Sequence, residues 1–296
     1  MLTTLWVMSI ASVIAMAAAL VARDAVAEGS ARVELERARW MALACEHRAE
    51  AAIDVILHDA GSFDDGRLAW RTLERRVLAS PLIAGCDVNL EAAGTRIDIN
   101  NASNEMIANL LIAIGLGDRA PAMSDALDDW RDADDDPLPL GAERAWYETK
   151  GRLAPRNGPL ADVRELRRVR GFEDVAGLDT VLTVEAGRVS LATAPVSVLM
   201  AVPGVTRETA DQIVAMQAAG TPLNDLLSVT GMISRTSAED LAARFPDAVR
   251  LTTPDPDAWL VRVRVSRGLP AVRVQLEWRV IRTGRRCVVA TTKSLL

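Results

Sequence analysis

The chain has 296 residues, half of them hydrophobic and only 4% aromatic, with a formal net charge of −6 and a pI near 5.2. That length buries a substantial core and predicts two or three compact units. The acidic balance argues against a nucleic-acid backbone as the main ligand, since phosphate binding needs a basic face. Three widely spaced cysteines without a CxxC pair give zinc no support.

Leu2 to Ala22 contains no charged residue, no Gly and no Pro. As a helix this run is roughly 31 Å long, enough to cross a bilayer core. Residues 1–22 are therefore predicted to be a transmembrane anchor, with Leu5, Trp6, Val7, Ile10, Val13, Ile14 and Leu20 as its apolar surface. A cleaved signal peptide is the competing reading. Ala25-Val26-Ala27 offers a cleavage pattern, but no Lys or Arg precedes the apolar run.

From Arg23 to about Asp59 the chain has no Pro and is rich in Ala, Arg, Glu and Leu, all good helix formers. Residues 23–60 thus predict a helical spine continuous with the anchor, about 85 Å long in all. Val26, Val33, Trp40, Leu43, Ala44, Ile53, Ile56 and Leu57 recur near helical spacing and define its expected apolar face. Gly29-Ser30 is the expected bend, and His47 and His58 are expected to face solvent. Residues 61–95 read as the start of a compact core.

Two central segments resemble each other. One begins Ile97-Asp98-Ile99-Asn100-Asn101-Ala102-Ser103, the other Val189-Ser190-Leu191-Ala192-Thr193-Ala194-Pro195, and each leads into a helix. Ser103, Asn101 and Thr193 are the candidate caps. Both copies end alike, Leu166-x-x-Val169-x-Gly171 against Leu226-x-x-Val229-x-Gly231. A duplicated helical unit follows, in inserts at 96–184 and 185–250. Val202-Pro203-Gly204-Val205-Thr206 has the form of a helix-hairpin-helix turn. The acids Glu208 and Asp211 beside it favour a protein-contact module over phosphate binding.

The extra length of the first copy covers an acidic loop. Asp132, Asp134 and Asp136 with Glu143 match positions 1, 3, 5 and 12 of a calcium loop. Pro137 stands where such a loop needs Gly, so no true EF-hand is implied. Two readings stand side by side, a bound calcium ion and a solvated acidic loop. A metal-dependent hydrolase is disfavoured, because no His lies nearby and no nucleophile or phosphate-loop motif is present.

After Ala258 the period changes to two. Val261, Val263 and Val265 alternate with Arg262, Arg264 and Ser266. Val272, Val274, Leu276 and Trp278 alternate with Arg273, Gln275, Glu277 and Arg279. Residues 251–296 are predicted to form an antiparallel meander, its last strand near Cys287 to Ala290, packed on the amphipathic half of the spine. Cys86 and Cys287 are either a disulfide or two separate buried thiols.

This arrangement resembles the type IV pilins and type II secretion pseudopilins, and specifically the K-type minor pseudopilin family. The residues that carry the likeness are Ile97–Ser103, Trp130–Asp135 with Gly141–Glu143, Asn157–Gly171 and Val189–Pro195. The implied fold is α+β, a pilin-like long N-terminal helix on a small antiparallel sheet with a large duplicated all-α (SAM-like, helix-hairpin-helix-like) insertion. The resemblance further implies a non-enzymatic subunit at the pseudopilus tip, which primes assembly and limits filament length for protein export. Its expected partners are the H-, I- and J-type minor pseudopilins, the major pseudopilin and the inner membrane, without nucleic acid. Its expected location is the bacterial inner membrane, single-pass, with the bulk in the periplasm. Most pseudopilins carry an early Glu that K-type subunits lack, and no acid precedes Asp24 here. Calcium binding is also a family property. The family's short basic leader is not seen before Met1-Leu2-Thr3. The alternative reading is a membrane-tethered helix-hairpin-helix protein of DNA uptake.

Overall fold

The computed structural model describes residues 2–60, 62–268, 271–283 and 286–295. The side chains of Leu5 and Cys287, both singled out above, lie outside the described set. Helix α1 runs unbroken from Leu2 to His58, straight through Gly29-Ser30, so the expected bend is absent. A Cβ at Gly29 would meet nothing within 4 Å; this glycine accommodates no neighbour. His47 and His58 are exposed.

Helices α2 (Phe63–Arg71) and α3 (Leu73–Leu78) follow. A reciprocal cap between Ser62 and Asp65 starts the first of them. Strand β1 (Asp87–Ala92) then leads into the insertion. There β2 (Ile97–Asp98) precedes α4 (Asn104–Ala113), α5 (Ala120–Arg131), α6 (Arg144–Thr149) and β3 (Leu182–Thr183). The second copy holds β4 (Val189–Ser190), α7 (Val196–Leu199), α8 (Arg207–Ala218), α9 (Arg235–Ala243), α10 (Phe245–Leu251) and β5 (Thr252–Thr253). The chain returns as β6 (Trp259–Arg267), β7 (Val272–Thr283) and β8 (Arg286–Leu295).

The main sheet is antiparallel with order β1-β6-β7-β8, so β1 adds an edge strand that period-two patterning did not single out. Val261, Val263, Val265, Val274, Leu276 and Trp278 point into one core, shared with α1. The α1 face in that core is Ala38, Ala42, Cys45, Ala49, Ala52, Ile53 and Leu57. Ile53 and Leu57 of the expected stripe lie in this core, with Ile56 packed against it, and the correction concerns the earlier part of the stripe. Val26 and Val33 are exposed, and Trp40 is 70% exposed. Alanines on the buried face let the helix backbone approach the sheet closely, and the larger residues are turned to the opposite side.

The cysteine pairing also departs from expectation. Cys86 is bonded to Cys45, with Cα atoms 5.7 Å apart. Arg48, one turn after Cys45, donates to the carbonyls of Leu82 and Ala84 and holds that turn against α1. Cys86 precedes the edge strand β1, whereas Cys287 lies on β8, at the opposite edge of the sheet. Two strands separate them, so they cannot meet.

The insertion has one core of its own, running in sequence from Ile97 to Ala248, so the two copies pack as a single unit. The repeat is visible in geometry. β2 pairs in parallel with β3 and β4 with β5, and the shared endings fold as 3-10 turns at Val163–Arg168 and Leu226–Met232. Ser103 caps α4 as expected, but Pro195 stands at the start of α7, and Thr193 Oγ1 is buried without a partner.

The orientation of the insertion follows from two contacts on β6. At its far end Arg267 pairs with Glu34 of α1 at 3.2 Å, in the half nearer the apolar segment. At its start Trp259 donates to the carbonyl of Trp70, on α2, just beyond the end of α1. The insertion leaves at Ala92 and returns at Trp259, so it crowns the end of the spine farthest from the apolar run. Arg67 and Arg71 both bind Asp255, and Arg67 also reaches Asn224 at 2.8 Å, fixing the insertion to the core.

Candidate metal centre

The acids of the 125–143 region divide into those already satisfied and those left over. Asn104 Nδ2 bridges Asp125 and Asp128 at 2.9 Å each. Arg131 pairs with Asp128 at 2.6 Å and also donates to the carbonyls of Ile99 and Ala102, pinning the end of α5 on the first repeat turn. Asp134 accepts the amide of Asp136, an Asx-type turn that starts the loop back. Asp135 accepts from Asn157 Nδ2 at 3.1 Å.

Of the others, Asp129, Asp132 and Glu143 each offer a carboxylate oxygen within 4.8 Å of one another. Asp129 and Asp132 are one helical turn apart at the end of α5, hence on the same face. Glu143 stands at the start of α6 without capping that helix. Leu138 N donates to Asp129 at 3.1 Å, which folds the loop over the cluster. Gly141 closes against it. A Cβ there would lie 2.0 Å from Asp129 Oδ2, so only glycine fits.

Thus the structure brings two of the four predicted ligands together, Asp132 and Glu143. It leaves Asp134 and Asp136 exposed and outside the group. The calcium-loop register assumed an extended loop from Asp132. The helix persists to Arg131, and the helical spacing brings in Asp129, fully buried, which that register omitted.

Several oxygens of the cluster are left without a partner. Both oxygens of Glu143 are buried without a hydrogen-bond partner, as are Asp132 Oδ1 and Asn157 Oδ1. Glu143 is only 4% exposed. Burying such groups unpaired costs several kcal/mol unless something neutralises them. Burial, then the charges of Asp129 and Asp132, push Glu143 up to about 7. Burial raises Asp129 and Asp132 as well. Carboxylate and amide oxygens without His or Cys suit a hard ion such as calcium.

The turn at Gly204 packs closely against α9. Gly204 has φ +81°, and a Cβ there would sit 2.8 Å from Arg244 Cβ and 2.9 Å from the carbonyl oxygen of Asp240. The hairpin packs on α9 and gives the DNA-uptake reading no support.

With this geometry in hand, the chain can be compared with known proteins. It is similar in fold to a chain in the crystal structure of the GspK-GspI-GspJ complex from the type 2 secretion system of enterotoxigenic Escherichia coli. The TM-score is 0.56 at 15% identity, over 91% of this chain and 99% of that one. No curated protein matches it in sequence. Residues 86–184 match the model of the first domain of type II secretion system protein K. This segment resembles the first domain of type II secretion system protein K, and the whole chain shares the fold of the matched structure. The matched segment begins at the disulfide cysteine Cys86, runs through β1 and the first copy of the insertion, and contains the whole Asp129-Asp132-Glu143 cluster. Helix α1 includes an apolar stretch long enough to cross a membrane, with none of that stretch buried against the rest of the fold.

Proposed function

We propose that this chain is the outermost subunit of a type II secretion pseudopilus, anchored in the inner membrane with its bulk in the periplasm, where it primes assembly and limits filament length without catalysis. The observation that carries this reading is the seat of the insertion at the anchor-distal end of the spine. A subunit added above would have to occupy the volume held by the Ile97–Ala248 unit. The absence of any acid before Asp24 agrees, because the outermost subunit has no neighbour above it to engage. Its partners on this reading are the H-, I- and J-type minor pseudopilins and the major pseudopilin. Support for the I- and J-type partners comes from the complex in which the similar fold was solved. The test is co-expression of the full chain with its cognate I- and J-type subunits and purification in detergent. A stable three-part complex is expected, and free K-type chain beside an I–J pair would refute the assignment.

The same reading takes the acidic cluster as a structural calcium site held by Asp129, Asp132 and Glu143, with Asn157 Oδ1 as a further oxygen donor. The ion would supply charge neutralisation and tie α5, the 133–142 loop and α6 together; no chemistry passes through it. Isothermal titration of calcium into the chelator-treated full chain should show saturable binding that Asp129→Asn abolishes. Unchanged binding by that variant would remove the site.

A further inference from the structure

Strand β1 is an edge: in the order β1-β6-β7-β8 it has a neighbour on one side only. Its six residues pair with β6 in unbroken register, from Asp87 opposite Arg264 to Ala92 opposite Trp259. Just past its end Ala93 N donates to the carbonyl of Ala258 at 2.8 Å. Residues bonded to the partner alternate along an antiparallel strand, so Glu91, Asn89 and Asp87 turn their amides and carbonyls to β6 as Ala93 does. Those of Val88, Leu90 and Ala92 point the other way, off the edge. Of these groups only the Ala92 carbonyl has a partner among the described residues, the hydroxyl of Thr95 at 2.9 Å. Nothing in β1 blunts the edge, since it carries no Pro, no Lys and no bulge.

A cleft of about 480 Å³ runs beside this edge, lined by Leu90, Glu91 and Ala92 in succession. Successive strand residues point to opposite faces, so a cavity that touches all three lies along the edge rather than over either face. Leu90 and Ala92 are 3% and 6% exposed, and the only polar groups they can bring to the cleft are main-chain ones. The remaining lining includes Glu74 and Arg75 of α3 and, from the second copy of the insertion, Ala192 and Gln217. Arg71 and Glu91 also line the cleft but are spent, the first on Asp255 and the second on Arg96 and Arg262. Glu74 and Arg75 are exposed and unpaired among the described residues, one charge of each sign. The cleft thus favours neither an acid nor a base, and what it offers in excess is unpaired backbone.

We propose that the outer edge of β1 takes an extended segment of another protein as an added strand, held by main-chain hydrogen bonds to Val88, Leu90 and Ala92. A single extended chain is the occupant that suits the walls. A second copy of this protein would bring its own β1 with α3 and the insertion beside it, and two such walled edges collide before reaching the strand spacing of about 4.8 Å. Nucleic acid finds Arg75 as the one unpaired cation in the lining, matched by Glu74. The inference is independent of filament position and of calcium.

The probe is a fluorescent synthetic peptide of alternating Val and Thr with Lys at one end and Glu at the other, titrated against the full chain in detergent and read by anisotropy. Saturable binding is expected, and hydrogen exchange should slow within residues 87–92 when the peptide is bound. The same peptide N-methylated along its centre keeps its side chains but loses its donors. It should bind about tenfold more weakly or worse, near 1.4 kcal/mol. Ala192→Trp fills the cleft and should weaken binding as much. An unchanged circular dichroism spectrum checks that this variant folds, and the exchange measurement on the parent stands without it. Arg75→Glu should leave binding within about twofold, because the main chain carries recognition. No binding, equal binding of the methylated peptide, binding indifferent to Ala192→Trp, or protection only outside 87–92 would overturn the proposal. So would loss of binding on Arg75→Glu, the mark of charge recognition. Protection of 87–92 that rises with the concentration of the chain alone, the mark of self-pairing, would overturn it too.

Discussion

Glu143→Gln should change the sign of its effect on stability according to whether calcium is present. In the ion-free protein, burial and the charges of Asp129 and Asp132 raise Glu143 from an ordinary 4.5 to about 7. A carboxyl whose pKa is raised by folding binds its proton more tightly in the native state. Stability is therefore greatest below the unfolded value and falls as pH climbs towards the folded one. At 1.36 kcal/mol per unit the full shift is worth about 3 kcal/mol. The three carboxyls titrate as a group, so about 1–3 kcal/mol is the expected range for one of them. Glutamine mimics the neutral acid. At pH 8 with chelator the variant should be more stable than the parent by that amount, and at pH 5 nearly equal to it. With calcium at about 100 times its dissociation constant, the parent gains about 2.7 kcal/mol and the variant little. Urea denaturation of the full chain in detergent, at both pH values with and without calcium, reads all four conditions. Destabilisation by Glu143→Gln in chelator at pH 8 would refute both the cluster and the role of its unpaired charge.

Other perturbations test the frame around the site. Cys45→Ser should lower stability by about 4 kcal/mol in oxidising buffer, from a bridge spanning 41 residues, and by little under reducing conditions. Ala49→Leu puts a large side chain where α1 meets the sheet and should cost about 1–3 kcal/mol, visible as a lower thermal midpoint. Two glycines at positive φ, Gly115 and Gly204, should separate in the same assay. Gly115 has φ +89° with open space around it, so Gly115→Ala should cost about 1–2 kcal/mol. Gly204→Ala adds a collision with Arg244 and Asp240 and should cost clearly more.

Much of the fold is legible because the patterns that specify it are local. An uninterrupted apolar run, a Pro-free helical stretch and period-two strands at Val261–Val265 and Val272–Trp278 each declare one element. What sequence periodicity could not settle is which side of a long helix faces the sheet. α1 carries apolar residues on two opposite sides, and the bulkier set, with Val33 and Trp40, looks like the better core. The sheet took the alanine side because close backbone approach needs small residues. The disulfide followed from the same choice, since Cys45 lies on the alanine side and Cys86 ends the turn that Arg48 holds against it.

The acidic cluster was half legible for a related reason. Spacing alone correctly marked 128–143 as a region with more acid than its basic neighbours neutralise. It could not tell which acids are spent on structure. Asp125 and Asp128 answer Asn104, 21 and 24 positions away, Asp128 also answers Arg131 one helical turn along, and Asp134 answers its own loop. The one local signal for Asp129 was the i, i+3 relation to Asp132 at a helix terminus, together with Gly141, the glycine that cannot carry a Cβ beside it. An alternating register is the right guide for a loop that starts as an extended chain. When the first acids still belong to a helix, the period that brings carboxylates together is the helical one, and the loop only delivers the last of them, Glu143.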